Sequence, residues 1–352
     1  MLNRLLKYCA ALLPLASCSV AAMGEVPLFA SQEPFKAVLM APIGQAYAQK
    51  DKEKRLYLEG KWSYRDGADT VALPVKIRTR GNSRRRLCKL PPLQLNFRKG
   101  ELDGTLFAGQ NKLKMVSPCS TGDNYQQLVY LELLVYQFYA LVSEQHFITR
   151  PVEVSYVDSE SGKTWSSTNF LLESENGMAL RLGMKTVDVE STPRSSMNLA
   201  ETALLEVFQF VIGNEDYSSL KSPPGKSCCH NVVPLASGEA LQGLIPVAYD
   251  FDSSGIIGAP YATPPQGIPI NHVSRRYFMG WCKEEHRYRD AIERLNRVRD
   301  EAVGLFTGSD LLTDKNRKRA VKYLEKSFKL INDEDYVEDK IIGRCRGEVI
   351  KG

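Results

Sequence analysis

The stretch "VALPVKIRTRGNSRRRLCKLPPLQLNF", Val71 to Phe97, sets the frame for the rest of the chain. Apolar and polar residues alternate on both sides of Gly81 and Asn82, the period of two that turns one face of each arm toward a core. Gly-Asn supplies the positive-φ residues that a tight reversal needs, so the spacing predicts a β-hairpin turning at those two residues. Beyond it, "KLKMV" (Lys112 to Val116) reads as another short strand. "DNYQQLVYLELLVYQFYALVS" then switches to a helical apolar period, with Asp123 or Asn124 placed as its N-cap. "RPVEVSYVD" and "TNFLLESE" return to strand character on either side of the turn "SESGK".

Helices dominate from Asn198 onward. "NLAETALLEVFQFVIG" has the apolar density of a buried helix and stops at Gly213. A polar loop over 214–229 follows, and "QGLIPVAYDFDSSG" supplies a strand ending at Asp250 and Asp252. The remainder, from "YRDAIERLNRVRDEAVGLF" through "NRKRAVKYLEKSFKLI", reads as at least two amphipathic helices. Residues 183–197 are the candidate boundary. The expected organisation is a β-rich portion over 23–190 holding one long helix, and a helical portion over 191–352 carrying the acidic residues.

At 352 residues, with 43% hydrophobic and 25% charged residues, the chain has ordinary globular composition and enough length for a sizeable core. Its net charge of +5 is too weak to argue for a nucleic-acid partner. Residues 1–22 read as a signal peptide: Arg4 and Lys7, an apolar stretch too short to span a bilayer, then small residues. Two processing sites stay open. "LASC" resembles a bacterial lipobox with lipidation at Cys18, and "VAA" (Val20 to Ala22) offers ordinary cleavage. The chain is therefore expected in the periplasm, at the outer membrane or secreted, touching a membrane only through such an anchor.

Eight cysteines fit export, and six of them lie beyond the leader. Cys88 precedes one predicted strand and Cys119 follows another, so neighbouring strands could bring them within bonding distance. Adjacent Cys228 and Cys229 are expected to bond to different partners, with Cys228, Cys229, Cys282 and Cys345 pairing within the helical portion. Their spacing carries no zinc signature, and His230 beside them reads as a neutral, hydrogen-bonded histidine.

Asp216, Asn231, Asp250 and Asp252 gather within one short span, each beside an apolar run. Hard oxygen donors of this kind suit a divalent cation. The alternative reading makes Asn214 and Asp216 helix terminators and "DFDSSG" an ordinary turn. An EF-hand loop does not follow, because its closing Glu is replaced by Tyr261.

Taken together, "RGNS", "KLKMVSPCSTGDNYQQLVYLELL", "RPVEVSYVD…FLLESE" and "GNED…HN…YDFDSSG" resemble the spore-coat-protein-H (CotH) family of atypical kinases and, more distantly, HipA-like kinases, over roughly residues 70–260. The resemblance implies an α+β, two-lobed protein-kinase-like fold with a β-rich N-lobe and a mainly helical C-lobe. It implies transfer of phosphate from ATP with Mg²⁺ or Mn²⁺ to a hydroxyl of a protein or small molecule. Asp216 would orient that hydroxyl, while Asn231, Asp250 and Asp252 would hold metal. On the nucleotide side Lys114 would pair with Glu132, with Lys89 the competing lysine. Arg80 and its neighbours Arg78 and Arg84 would cradle phosphates, and Glu173 would lie at the lobe connection. A non-catalytic envelope or surface binding protein on the same scaffold is the second function class.

Overall fold

The computed structural model describes residues 27–223 and 225–351; the signal-peptide and lipobox residues lie outside them. The strands of the first half are β1 (Phe35–Ala41), β2 (Leu58–Asp66), β3 (Asp69–Thr79), β4 (Leu93–Phe97), β5 (Lys112–Val116), β6 (Thr149–Asp158) and β7 (Thr164–Leu172). They close into a barrel in the order β1-β2-β3-β4-β5-β7-β6. Closure comes from β1, which pairs antiparallel with β2 and parallel with β6, Leu39 standing opposite both Trp62 and Tyr156. The expected two-lobed kinase-like fold is thereby overturned. Each barrel strand has a partner on both sides, and closure removes the free edges an open sheet would leave.

Alternation works as the hairpin stretch predicts: Leu73, Val75 and Ile77 of β3 are buried, while Ala72 before them and Pro74 among them are exposed. Inside the barrel Trp62, Tyr64, Phe97 and Phe107 pack edge-on or tilted, with Phe97 and Phe107 centred 4.9 Å apart. Each such ring removed from water stabilises the fold by roughly 1.5–3 kcal/mol.

The turn differs from expectation. Thr79 pairs with Leu93, and the Arg80 N–H donates to the Pro92 carbonyl at 2.9 Å, so the reversal spans residues 80–92 and includes the short helix α2 (Ser83–Leu87). Tight Gly-Asn chemistry loses because the run of arginines coils into a turn of helix that buries Arg84 and Arg85. A Cys88–Cys119 disulfide ties this excursion to the chain following β5.

The second core is helical. α3 (Asp123–Val142) and α5 (Leu199–Ile212) pack with α6 (Glu285–Arg297), α7 (Arg299–Thr307) and α8 (Asp314–Ile331). α3 lies in the β-rich half of the sequence, yet its buried side chains belong to this core, Phe138 meeting Phe208 at 5.0 Å. Its cap is Gly122 rather than Asp123 or Asn124. α5 begins at Asn198, whose side chain accepts from Glu201 N, and ends where Gly213 adopts the left-handed conformation. Beside it β8 (Lys185–Thr186), β9 (Val232–Ala236) and β10 (Ile245–Ala248) make a small sheet in the order β10-β9-β8. β11 (Trp281–Lys283) and β12 (Arg346–Ile350) pair in parallel, and a disulfide joins Cys282 of β11 to Cys345 just before β12. Cys228 and Cys229 bond to each other, contrary to the expectation of separate partners. Within the candidate boundary over 183–197 lies β8.

Candidate functional site

The open end of the β9–β10 hairpin builds the site. Val232 pairs with Ala248, and one step further the Tyr249 N–H donates to the Asn231 carbonyl at 3.1 Å, setting the two chains side by side beyond the strands. There Asn231 (φ 53°) and Asp250 (φ 60°) are the positive-φ non-glycine residues of the described chain. Asn and Asp are the non-glycine residues that tolerate this region best, and such backbone concentrates where side chains must be aimed for function. Asp250 is fixed further by its N–H, which donates to the Tyr136 hydroxyl at 2.9 Å. Phe251 is fully buried against Tyr136, Tyr139 and Phe208, the closest ring centre at 4.7 Å. An Asp-Phe-Asp run with its middle residue anchored in the core holds both carboxylates on a rigid support.

Asp216 arrives from the chain after α5. Asn214 helps to terminate that helix, as its place after Gly213 suggests: its N–H donates to the Gln209 carbonyl at 2.8 Å. Its amide nitrogen donates to the Gln209 side chain at 3.0 Å, and its oxygen accepts from the Asp216 N–H at 3.1 Å. Asn231 donates to the Asp216 carbonyl at 2.7 Å and to its carboxylate at 3.2 Å. His230 Nε2 lies 2.6 Å from Asp216 Oδ1. That hydrogen bond, stronger than the opposing burial, raises the pKa of His230 above its ordinary value, and the hydrogen-bonded histidine of the sequence reading has the Asp216 carboxylate as its partner.

Asp216, Asn231, Asp250 and Asp252 all line one cleft of about 680 Å³. The same cleft is lined by Arg55, Arg78, Arg80, Arg84 and Lys114. The nucleotide-side expectations are partly redistributed. Lys114 lines the cleft but pairs with Glu175 at 2.8 Å and sits 4.3 Å from the Tyr249 ring centre. Glu132 instead has Arg84 as its cation, at 3.7 Å, because α2 turns Arg84 inward beneath the cleft. Arg84 also reaches Asp252 at 3.5 Å and donates to the Ser117 carbonyl. Lys89 is exposed and Glu173 accepts from Arg181 and the Ile148 N–H, so neither lines this cleft.

Burial governs the charges. It pushes the Asp252 carboxyl up to about 6, with Asp250 adding to the rise and Arg84 opposing it. It drives Glu132 well above the carboxylate range in the same way. Burial acts against Arg84, but Tyr261, Asp252, Glu132 and Asp250 together hold its pKa above the ordinary value. In Arg80 burial wins and the pKa is lowered, Asp250 partly compensating.

Among the described residues no three His, Cys, Asp or Glu side chains stand close enough to hold a metal ion by themselves. Asp250, Asp252 and the Asn231 amide are hard oxygen donors, and Asp252 is already committed to Arg84. Asp250 forms no ion pair among the described residues. This donor set fits Mg²⁺ or Mn²⁺ shared with phosphate oxygens, in which one or two carboxylates suffice, rather than a cage made only of protein.

Sequence reasoning missed Arg55, Tyr249, Tyr261 and the role of His230. Arg55 had no motif to mark it, whereas His230 stood beside Asn231 in a segment already singled out. No protein-family model matches the chain, and no curated protein matches it significantly in sequence.

Proposed function

We propose that the cleft binds a nucleoside triphosphate with Mg²⁺ or Mn²⁺ and transfers its terminal phosphoryl group to a hydroxyl of a protein or small molecule outside the cytoplasm. The observation that carries this reading is one cleft lined by both a set of oxygen donors, Asp216, Asn231, Asp250 and Asp252, and the guanidinium groups of Arg80 and Arg84. Phosphoryl transfer requires little of a protein beyond position and charge neutralisation, and these two sets of groups supply both. The resemblance to CotH-type kinases points the same way, and the reading rests on the site rather than on the architecture.

In this reading Asp250 is the principal metal ligand, with Asn231 and Asp252 supporting it. The metal supplies neutralisation of the phosphate charge. Arg80 and Arg84 hold phosphate oxygens. Asp216 accepts a hydrogen bond from the attacking hydroxyl, while the bond from the terminal phosphorus to its bridging oxygen breaks and a bond to the acceptor oxygen forms. The acceptor proton passes to the Asp216 carboxylate, which His230 holds in place at 2.6 Å. Export of the chain is part of the proposal, and the Cys88–Cys119 and Cys282–Cys345 disulfides are compatible with an oxidising compartment.

Calorimetric titration with MgATP and MnATP tests the reading, followed by a phosphotransfer assay against envelope extracts. Asp250→Asn is expected to abolish metal-dependent binding, and Asp216→Asn to keep binding while losing transfer. Absence of nucleotide binding in the wild type would overturn the reading and leave a non-catalytic envelope binding protein.

A further inference from the structure

The basic side of the cleft divides into two neighbourhoods. Arg80 and Arg84 face the acidic pair, as their electrostatic partners Asp250, Asp252 and Glu132 attest. Arg55, Arg78, Arg85 and Arg86 form a second group, in which Arg55 feels chiefly its own burial and then the other three arginines. None of these four makes an ion pair with a carboxylate among the described residues; the arginine pairs that do form involve Arg84 and residues remote from this wall.

Their hydrogen bonds go to backbone carbonyls instead. Arg55 donates to Thr79 O at 3.2 Å and to Lys52 O at 3.1 Å, and Arg85 donates to Gly81 O at 3.1 Å. Arg78 lies over the Tyr57 ring at 4.4 Å. These contacts hold the guanidinium groups in place but leave donors unused: Arg78 Nε and Arg85 Nη1 are buried without a partner, and Arg85 is only 5% exposed. Four cations clustered without a counter-charge repel one another, and buried unpaired donors cost stability. The fold keeps both, and Arg55 and Arg78 open directly onto the cleft.

We infer that Arg55 and Arg78, backed by Arg85 and Arg86, form a second oxyanion subsite beside the nucleotide position, which receives a phosphate or similar tetrahedral oxyanion carried by the acceptor molecule. Planar, fixed guanidinium forks match such oxyanions bidentately. The preferred acceptor is therefore a hydroxyl compound already bearing a phosphomonoester, held so that its free hydroxyl faces Asp216. This assignment of the acceptor rests on the phosphotransfer reading above, whereas the anion subsite itself does not.

The probe is inorganic pyrophosphate, titrated calorimetrically into the full chain at low ionic strength with EDTA present, so that no metal-dependent site contributes. Wild type should bind it. The double substitution Arg55→Gln, Arg78→Gln should weaken binding about tenfold or more, as loss of two charge-assisted contacts implies. Lys36→Gln, exposed on β1 and outside the cleft, should leave it unchanged, and in a separate titration without EDTA, saturation with the magnesium complex of a non-hydrolysable ATP analogue should not displace the probe. Should the double variant fail to fold, Arg55→Gln alone carries the same comparison. No binding in wild type, binding indifferent to these arginines, or displacement by the nucleotide analogue would each overturn the subsite. Pyrophosphate binding with no MgATP binding would instead reject the phosphotransfer reading and leave the subsite standing.

Discussion

Replacing Asp252 by Asn should stabilise the protein at neutral pH, an unusual outcome for a buried polar position. Asp252 is 6% exposed, with Arg84 3.5 Å from its carboxylate and the Ser253 hydroxyl donating to it at 3.3 Å. Burial, then Asp250, raise its pKa from 3.8 to about 6. The folded carboxyl therefore holds its proton more tightly than the unfolded one. Above pH 6 both states are ionised and the folded state bears the full penalty, about 3 kcal/mol for that gap. As pH falls from 6 to 3.8 the folded state takes up a proton the unfolded state lacks, stability rises, and the penalty is gone below 3.8. Asp252→Asn removes the ionisation, while Glu132 stays as a partner for Arg84 at 3.7 Å. Allowing for the lost Arg84 contact, the expected gain is about 1–3 kcal/mol at pH 7.5, shrinking toward zero near pH 4. Urea denaturation of both proteins at half-unit pH steps from 4 to 8 measures it. A difference independent of pH, or a variant less stable at pH 7.5, would refute the reasoning. Retaining a carboxylate that costs stability is what a cation-binding role demands.

Two further outcomes follow from buried and half-buried charge. Lys283 and Glu206 form a fully enclosed pair at 2.5 Å, with the Trp281 N–H also donating to Glu206, so Lys283→Met should destabilise by about 3–5 kcal/mol in denaturant titration, and adding Glu206→Leu should restore much of the loss. The His230 ring, titrated by NMR, should show a midpoint above its ordinary value in the wild type and below it in Asp216→Ala, where burial acts without the hydrogen bond or the carboxylate charge; its stabilising contribution is present below the ordinary pKa and lost as pH rises through the raised one.

Local order was legible along the chain. The period-two runs of β3 and β4, the strand at Lys112–Val116, the helix α5 between Asn198 and Gly213, and the strand leading to Asp250 all follow from periodicity and capping, which act over a few residues. The convergence of Asp216, Asn231, Asp250 and Asp252 was also legible, because each sits at the end of an apolar element that must enter a core. Tertiary structure alone decided the rest. Barrel closure depends on β1 meeting β6, strands more than a hundred residues apart, and no local pattern records which strand finds which. The partner of Glu132 changed from Lys114 to Arg84 for the same reason. A five-residue helix in the turn after β3 swung Arg84 inward, while Glu175 reached Lys114 first. Sequence determines which side chains can ionise and which faces are apolar; which charges meet is set by long-range packing, where the energy of a buried pair depends on a few ångströms that no spacing along the chain encodes.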